Sequence, residues 1–445
     1  MTTISAHNLV MSYQQEQVLT GCDFTIPDHE LSLLVGDTGS GKSTLLMLLA
    51  KLLKPQAGQV SPELAGFMFQ DPRQQFAMAT PLDQFIFIME NRQLTAEAAW
   101  QKIKVVSRQL KITDLWRQPL TTLSGGQLQR VALAAALLLE RDILLLDEPF
   151  ASVDPQNRQF MLDLLHRLQQ AGKTILIIDH DLSGYEQLCQ HIFRLQTGKI
   201  TELTATEKDA LYQAAQPKQQ KFALPANTEA AAFALKNFSL QRGQTQLLQQ
   251  IALNIPSGNS ILLTGSNGSG KSSLLQVFSK LLPYQGHCLY QGRDLSKWPR
   301  RRFFSEVGQV FQTASDQFLT VSVAEELQLS QQHGRCKSDV IQQMLVDFNL
   351  EKYLQHSPYL LSGGQQKLVQ LLVMLIMGRP VLLLDEPLAG LDQAMTKQAA
   401  KWLAWSQQNF AQTQIIVSHQ SGLNQLCRYH LRLANQSLSF QEGLA

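Results

Sequence analysis

The chain has 445 residues, a formal net charge of +2, 44% hydrophobic and 17% charged residues. That apolar share supports packed cores and excludes a wholly disordered chain, and a charge near zero argues against a protein built to coat nucleic acid. At about 150 residues per domain, the length suggests two or three domains.

The opening MTTISAHNLV has no basic start and no apolar run, so no secretion signal is expected there. A short buried strand is expected at 31–35 (LSLLV), feeding the loop GDTGSGKST, with a helix over 44–53. The loop comprises Gly36, Asp37, Thr38, Gly39, Ser40, Gly41, Lys42, Ser43 and Thr44. Its glycines let backbone N–H groups converge on phosphate oxygens, and the helix start adds its positive end. Lys42 is expected to reach the β/γ-phosphates and Ser43 to hold Mg²⁺. Gln70 closes FMFQ, where an amide can bind Mg²⁺ or its water. Residues 84–120 read as a helical subdomain.

LSGGQ follows, with Ser124, Gly125, Gly126 and Gln127 opening a helix over 127–140. It reads both as a serine N-cap and as a second anion site. The strand expected at 143–146 delivers Asp147, a Mg²⁺ ligand, and Glu148, a general base for the attacking water. The strand at 175–178 delivers His180, expected to contact the γ-phosphate. Residues 204–230, rich in Gln, Ala and Lys, read as a linker with one short helix at their start.

The same plan then repeats. The strand at 261–264 feeds Gly265, Ser266, Asn267, Gly268, Ser269, Gly270, Lys271, Ser272 and Ser273, with a helix over 273–282. Gln312, a helical segment at 323–359, LSGGQ (Ser362, Gly363, Gly364, Gln365) and a helix over 365–377 follow. Strands at 381–384 and 415–417 then deliver Asp385 with Glu386, and His419. The four motifs recur 229, 238, 238 and 239 residues apart. The second copy carries an insertion, GRDLSKWPRRRFF, that the first lacks. Strands alternating with helices make each copy an α/β domain with a mainly parallel sheet. No stretch approaches the roughly 18 apolar residues of a membrane span. The five cysteines form no CxxC pair, which fits reduced, buried thiols and offers no zinc site.

These motifs together resemble the nucleotide-binding domains of ATP-binding cassette (ABC) proteins, P-loop NTPases, in two copies (1–203 and 231–445) joined by 204–230. The resemblance implies ATP and Mg²⁺ as ligands, with Ser43, Gln70 and Asp147, and Ser272, Gln312 and Asp385, around the metal. It makes Gln70 and Gln312 the Q-loop glutamines, Asp154 and Asp392 the D-loop aspartates, and Tyr13 the ring that stacks on adenine. Counting on 229 residues from Tyr13 reaches Arg242. The resemblance also implies that the halves pair within the chain, each phosphate loop opposite the other half's LSGGQ.

FQDPRQQF and FQTASDQF resemble the QNPDDQ segment of energy-coupling factor (ECF) and cobalt-type importers. Gln75 and Gln317 match its last glutamine, while Arg73, Gln74 and Ala314 depart from it. The likeness implies a peripheral ATPase on the cytoplasmic face of the cell membrane, driving uptake of a vitamin or metal ion. Its partners would be an integral membrane transmembrane subunit and a substrate-binding membrane protein, docked on the helical subdomains near Phe76 and Phe318. The alternative is a soluble tandem cassette acting on ribosomes or nucleic acid. Against it, the linker is short and weakly charged, and KWPRRR with Phe303 and Phe304 is one basic cluster, which reads as a solvated face. No nucleic-acid partner is expected.

Overall fold

The computed structural model describes residues 3–13, 16–37, 39–61, 64–150, 153, 155–179, 181–215, 220–226, 228–418 and 421–443, with backbone alone at 13, 16, 155, 156, 215, 393, 421 and 422. The chain divides into two compact units, Met1–Gln216 and Pro217–Ala445.

In the first unit the strands Gly66–Met68, Ile143–Asp147, Thr174–Ile178, Leu31–Val35, His191–Gln196 and Lys199–Glu202 lie side by side in that order. All pairs are parallel except the closing hairpin. In the second unit Val307–Val310, Val381–Asp385, Thr413–Val417, Ser260–Thr264, Tyr429–Ala434 and Ser437–Gln441 repeat the order, again parallel up to a closing hairpin. A smaller antiparallel sheet flanks each, with Ile4–Tyr13 central in the first and Ala231–Arg242 pairing both neighbours in the second.

Parallel strands covered on both faces read as continuous apolar runs, and successive side chains point to opposite faces. Leu144 and Leu146 accordingly pack with the helical side of the first unit, while Ile143 and Leu145 pack with the antiparallel sheet. Leu382 and Leu384, against Val381 and Leu383, divide the same way in the second. Burying each such side chain contributes roughly 1.5–3 kcal/mol.

The helical segments resolve into Pro81–Asn91 and Ala96–Gln109, and Val323–Gln332 and Ser338–Asp347. Thr80 and Ser322 cap the first helix of each pair, accepting from the Asp83 and Glu325 amides. Two expectations about helix limits are corrected. The helices after the phosphate loops span Lys42–Leu49 and Lys271–Phe278, because Gly41 and Gly270 take left-handed backbone and serve as N-caps. The LSGGQ helices span Gly125–Leu138 and Gly363–Met377, starting at their glycines because Ser124 and Ser362 close capping boxes with Gln127 and Gln365.

Within 204–230, Ala205–Ala215 is a helix whose Leu211 and Tyr212 pack on the first core. Phe222 is buried in the second unit, its amide donating to the Glu442 carbonyl at 2.9 Å. In the basic insertion, Phe303 is a core residue against Tyr290 and Trp298, so only Phe304 of the pair faces solvent. Cys22, Cys189, Cys288 and Cys427 are buried free thiols and Cys336 is half-buried. Burial pushes Cys288 and Cys427 up to about 12.

Candidate functional site

Strand register decides which residues meet. Leu34 is level with Ile178, and Asp147 is level with Ile178. The loop that starts at Gly36, the Asp147–Glu148 pair and the segment after Ile178 therefore leave one edge of the sheet together. Leu263 with Val417, and Asp385 with Val417, set the same alignment in the second unit. Open α/β sheets bind ligands at this carboxyl edge.

Each phosphate loop is closed by its own lysine. Lys42 Nζ donates to the Gly36 and Asp37 carbonyls at 2.8 and 2.9 Å, and Lys271 Nζ to those of Gly265 and Ser266 at 2.7 and 3.1 Å. The first glycine of each loop is indispensable sterically. A Cβ on Gly36 would lie 2.4 Å from the Leu195 carbonyl oxygen, and one on Gly265 2.4 Å from that of Leu433. Ser40 and Ser269 each bury a hydroxyl oxygen that has no hydrogen-bond partner among the described residues. A glycine cradle, an inward lysine and a spare hydroxyl suit a polyphosphate.

Asp147 and Asp385 end buried strands and are themselves buried. The Asp385 carboxyl is pushed up by burial and held down by the Ser272 hydroxyl, Lys367 and Lys271. Serine hydroxyl and carboxylate together form the hard oxygen donor set that Mg²⁺ requires. Glu148 and Glu386 both have φ 47°, and their amides donate to the Ile178 and Val417 carbonyls at 2.9 Å. Left-handed backbone in a bulky residue is strain that the surroundings must hold, and it concentrates at functional positions. Glu148 is buried and Glu386 half-buried.

Gln70 is half-buried and Gln312 exposed. Ser124 and Ser362 are exposed at helix starts, each hydroxyl accepting from the Gln127 or Gln365 amide at 3.4 Å. The N-cap reading therefore holds, and the open helix ends remain available to an anion. Asp392 caps the helix that begins at Gln393, accepting from the Met395 amide at 2.8 Å. Thr38, Asp154, His180 and His419 lie outside the described residues, as does the Tyr13 side chain. Arg242 is exposed at the end of its strand.

One site residue escapes motif reading. Lys367 stands in the second LSGGQ helix where the first has Gln129. It is buried, and Nζ donates to the Phe311 and Gln312 carbonyls at 3.1 and 2.6 Å. Burial lowers its pKa to about 8, against the pull of Asp385 and Glu386. The departure from Gln129 was the available signal.

The ABC transporter family model matches residues 19–151 and 248–389, both copies of the plan. A Bacillus subtilis (strain 168) protein, provisionally named HMP/thiamine import ATP-binding protein YkoD, is 30% identical over 87% of this chain and 82% of its own. A provisionally named ABC transporter ATP-binding protein of Treponema denticola is 27% identical over 89% and 88%. Among solved structures, RNase-L Inhibitor is similar over 99% of this chain and 90% of its own, with TM-score 0.68 and 19% identity. A model of ribosome-bound archaeal Pelota and ABCE1 gives TM-score 0.74 at 17% identity, over 98% and 78%. At those identities the structural likeness shows the fold alone, two tandem cassettes. The chain belongs to the ABC transporter family.

Lys367 generates a pH prediction. An amine whose folded pKa lies below its unfolded value penalises folding while it is protonated. That penalty is relieved as pH rises from about 8 toward 10.5. Chemical unfolding of the nucleotide-free chain should show stability rising across this window relative to Lys367→Gln. Parallel pH profiles for the two proteins would contradict the assignment.

Proposed function

We propose that this ABC-family chain is the ATPase subunit of an uptake transporter of the ECF type, carrying a vitamin or metal ion. The observation that carries the ATPase part is the complete set of lysine, aspartate and strained glutamate at the same sheet edge in both units. The transport part is supported by the length-spanning likeness to relatives named as import and transporter ATP-binding proteins. Among the described residues no helix is long and apolar enough to cross a membrane, so a separate membrane subunit would translocate the substrate.

In this reading the loop amides with Lys42 and Lys271 bind and orient the triphosphate. Ser43 with Asp147, and Ser272 with Asp385, hold Mg²⁺, with Gln70 and Gln312 reaching it directly or through water. Bound Mg²⁺ supplies charge neutralisation of the phosphate oxygens. Glu148 and Glu386 take the proton of the attacking water, and His180 and His419 contact the γ-phosphate. Ser124–Gln127 and Ser362–Gln365 present helix-end amides to nucleotide on the opposite half, so ATP draws the halves together.

The docking surface differs from expectation at one point. Phe318 is a buried core residue and cannot be the main contact, while Phe76 is half-buried and packs on the first core. The exposed apolar side chains beside Phe318 are Leu319, Val321 and Leu360, at 80%, 76% and 83% exposure. The caps Thr80 and Ser322 stand 322 − 80 = 242 residues apart, four more than the two LSGGQ motifs, and in that register Ala77 and Ala79 stand for Leu319 and Val321. The turn after Gln312 is thus more apolar than the turn after Gln70, which suits an asymmetric membrane partner.

Two measurements test the reading. Glu148→Gln with Glu386→Gln should retain ATP binding and lower turnover by at least about 100-fold, the scale of a lost general base. Undiminished hydrolysis would remove both glutamates from the chemistry. Leu319→Asp with Leu360→Asp should abolish co-purification with a polytopic membrane protein while leaving basal ATPase intact. Recovery of ribosomes or nucleic acid with the unmutated chain, and no membrane protein, would replace the transport reading by the ribosomal one.

A further inference from the structure

The first unit contains a buried ionic cluster whose counterparts among the described residues of the second are uncharged. Arg158 lies in the helix Pro155–Gln170, which begins just after Asp154. Its Nη1 donates to Asp179 Oδ2 at 3.1 Å, and its Nη2 to the carbonyls of Asp181 and Ser183 at 2.5 and 3.2 Å. Tyr185 Oη donates to the same Asp179 oxygen at 2.9 Å, and the Asp181 amide to the other at 3.1 Å. The guanidinium lies against the rings of Phe150 and Tyr185, 5.0 and 5.4 Å from their centroids. Arg158, Asp179, Tyr185 and Phe150 are all buried.

The repeat supplies its own control. Glu148 matches Glu386, which aligns Phe150 with Leu388 and Arg158 with Thr396. IIDH matches IVSH, and SGYEQLC matches SGLNQLC, which align Asp179 with Ser418 and Tyr185 with Leu423. Those four counterparts are buried as well. The same fold is therefore completed without the ions. A buried ion pair seldom stabilises more than an apolar set of similar volume, because desolvation opposes the Coulomb gain. Stability does not account for the cluster.

Its placement does. Asp179 and Asp181 stand on either side of position 180, and both are tied to one arginine on the helix that follows Asp154. We propose that Arg158, Asp179 and Tyr185 are positioning residues for His180: they fix the residues on either side of position 180 to the helix that follows Asp154, in the first half. The two nucleotide sites are then unequal. The chain on either side of position 180 is clamped to that helix by an ion pair, which the counterparts Thr396, Ser418 and Leu423 cannot form. This inequality rests on the reading of His180 as a γ-phosphate contact.

The test uses the full chain in a Glu386→Gln background, so that turnover reports the first site. Arg158→Thr, Asp179→Ser and Tyr185→Leu together install the second half's own residues, which keeps the packing plausible. The triple variant should unfold at the temperature of its parent and show faster amide exchange at 181–183 without nucleotide. Its kcat should fall about 10–100-fold, the scale of a misplaced catalytic group, with KM for ATP within about twofold. Tyr185→Phe, which removes one hydrogen bond, should give a smaller change of the same pattern and covers the case in which the triple variant fails to fold. His180→Ala should abolish turnover. Unchanged kcat and exchange in the triple variant, with His180→Ala inactive, would overturn the proposal and leave the histidine reading standing. Full activity of His180→Ala would overturn that reading, and the proposal with it.

Discussion

A strand hydrogen-bonded to parallel neighbours along both edges can offer chemistry only at its ends. Leu31–Val35 and Ser260–Thr264 are such strands, paired on each side over their length and covered on both faces. The polypeptide must leave them through a turn tight enough to start a helix at once. The turn is squeezed from the side by the next strand, since the Leu195 and Leu433 carbonyls occupy the space of any Cβ at Gly36 and Gly265. Within the turn the lysine folds back onto the loop's own carbonyls. The carboxylates of the adjacent strand are then placed by register alone. The ladder fixes how far each strand extends, and the Ser272 hydroxyl of the loop then meets the Asp385 carboxylate.

The regularity of this core is why so much could be read from the amino-acid order. Five-residue apolar runs bounded by polar residues locate the strands to within about two residues, since strands buried on both faces leave no alternation to interpret. Helix starts were harder. Gly125 and Gly363 look like loop residues, yet reciprocal Ser–Gln hydrogen bonds bring them into the helix. The limits of the short helices after the phosphate loops are tertiary matters, as is the burial of Phe318 and Phe303. Lys367 and Arg158 were legible only as departures of one copy from the other, at Gln129 and Thr396. Their partners lie 55 and 21 positions away, and nothing local distinguishes either from a solvated charge on a helix.

The duplicated plan exposes which polar groups the fold needs and which are additions. The turn after Gln70 is held by Gln84 Oε1, which accepts from the Ala77 and Met78 amides at 2.8 and 3.1 Å. After Gln312 the same office falls to Glu326, whose carboxylate accepts from the Leu319 and Thr320 amides. Lys367 and Gln370 grip the carbonyls at the front of that turn, where Gln129 and Ala132 stand in the first unit. Buried charge is thus concentrated around the Gln312 turn in one unit and around position 180 in the other. Neutral residues suffice at each place in the opposite unit, so neither set is required for folding.

Charged hydrogen bonds in a dry interior are about twice as strong as neutral ones, and breaking one strands an ion, which carries a further penalty. The two units place that sensitivity at different points of the same sheet edge: at the turn after Gln312, through Lys367 and Glu326, and around position 180, through Arg158 and Asp179. Loss of a partner strands a buried ion at one of these points, whereas Gln84 and Leu423 leave none to strand at the counterparts, with the phosphate loops, carboxylates and sheet the same in both.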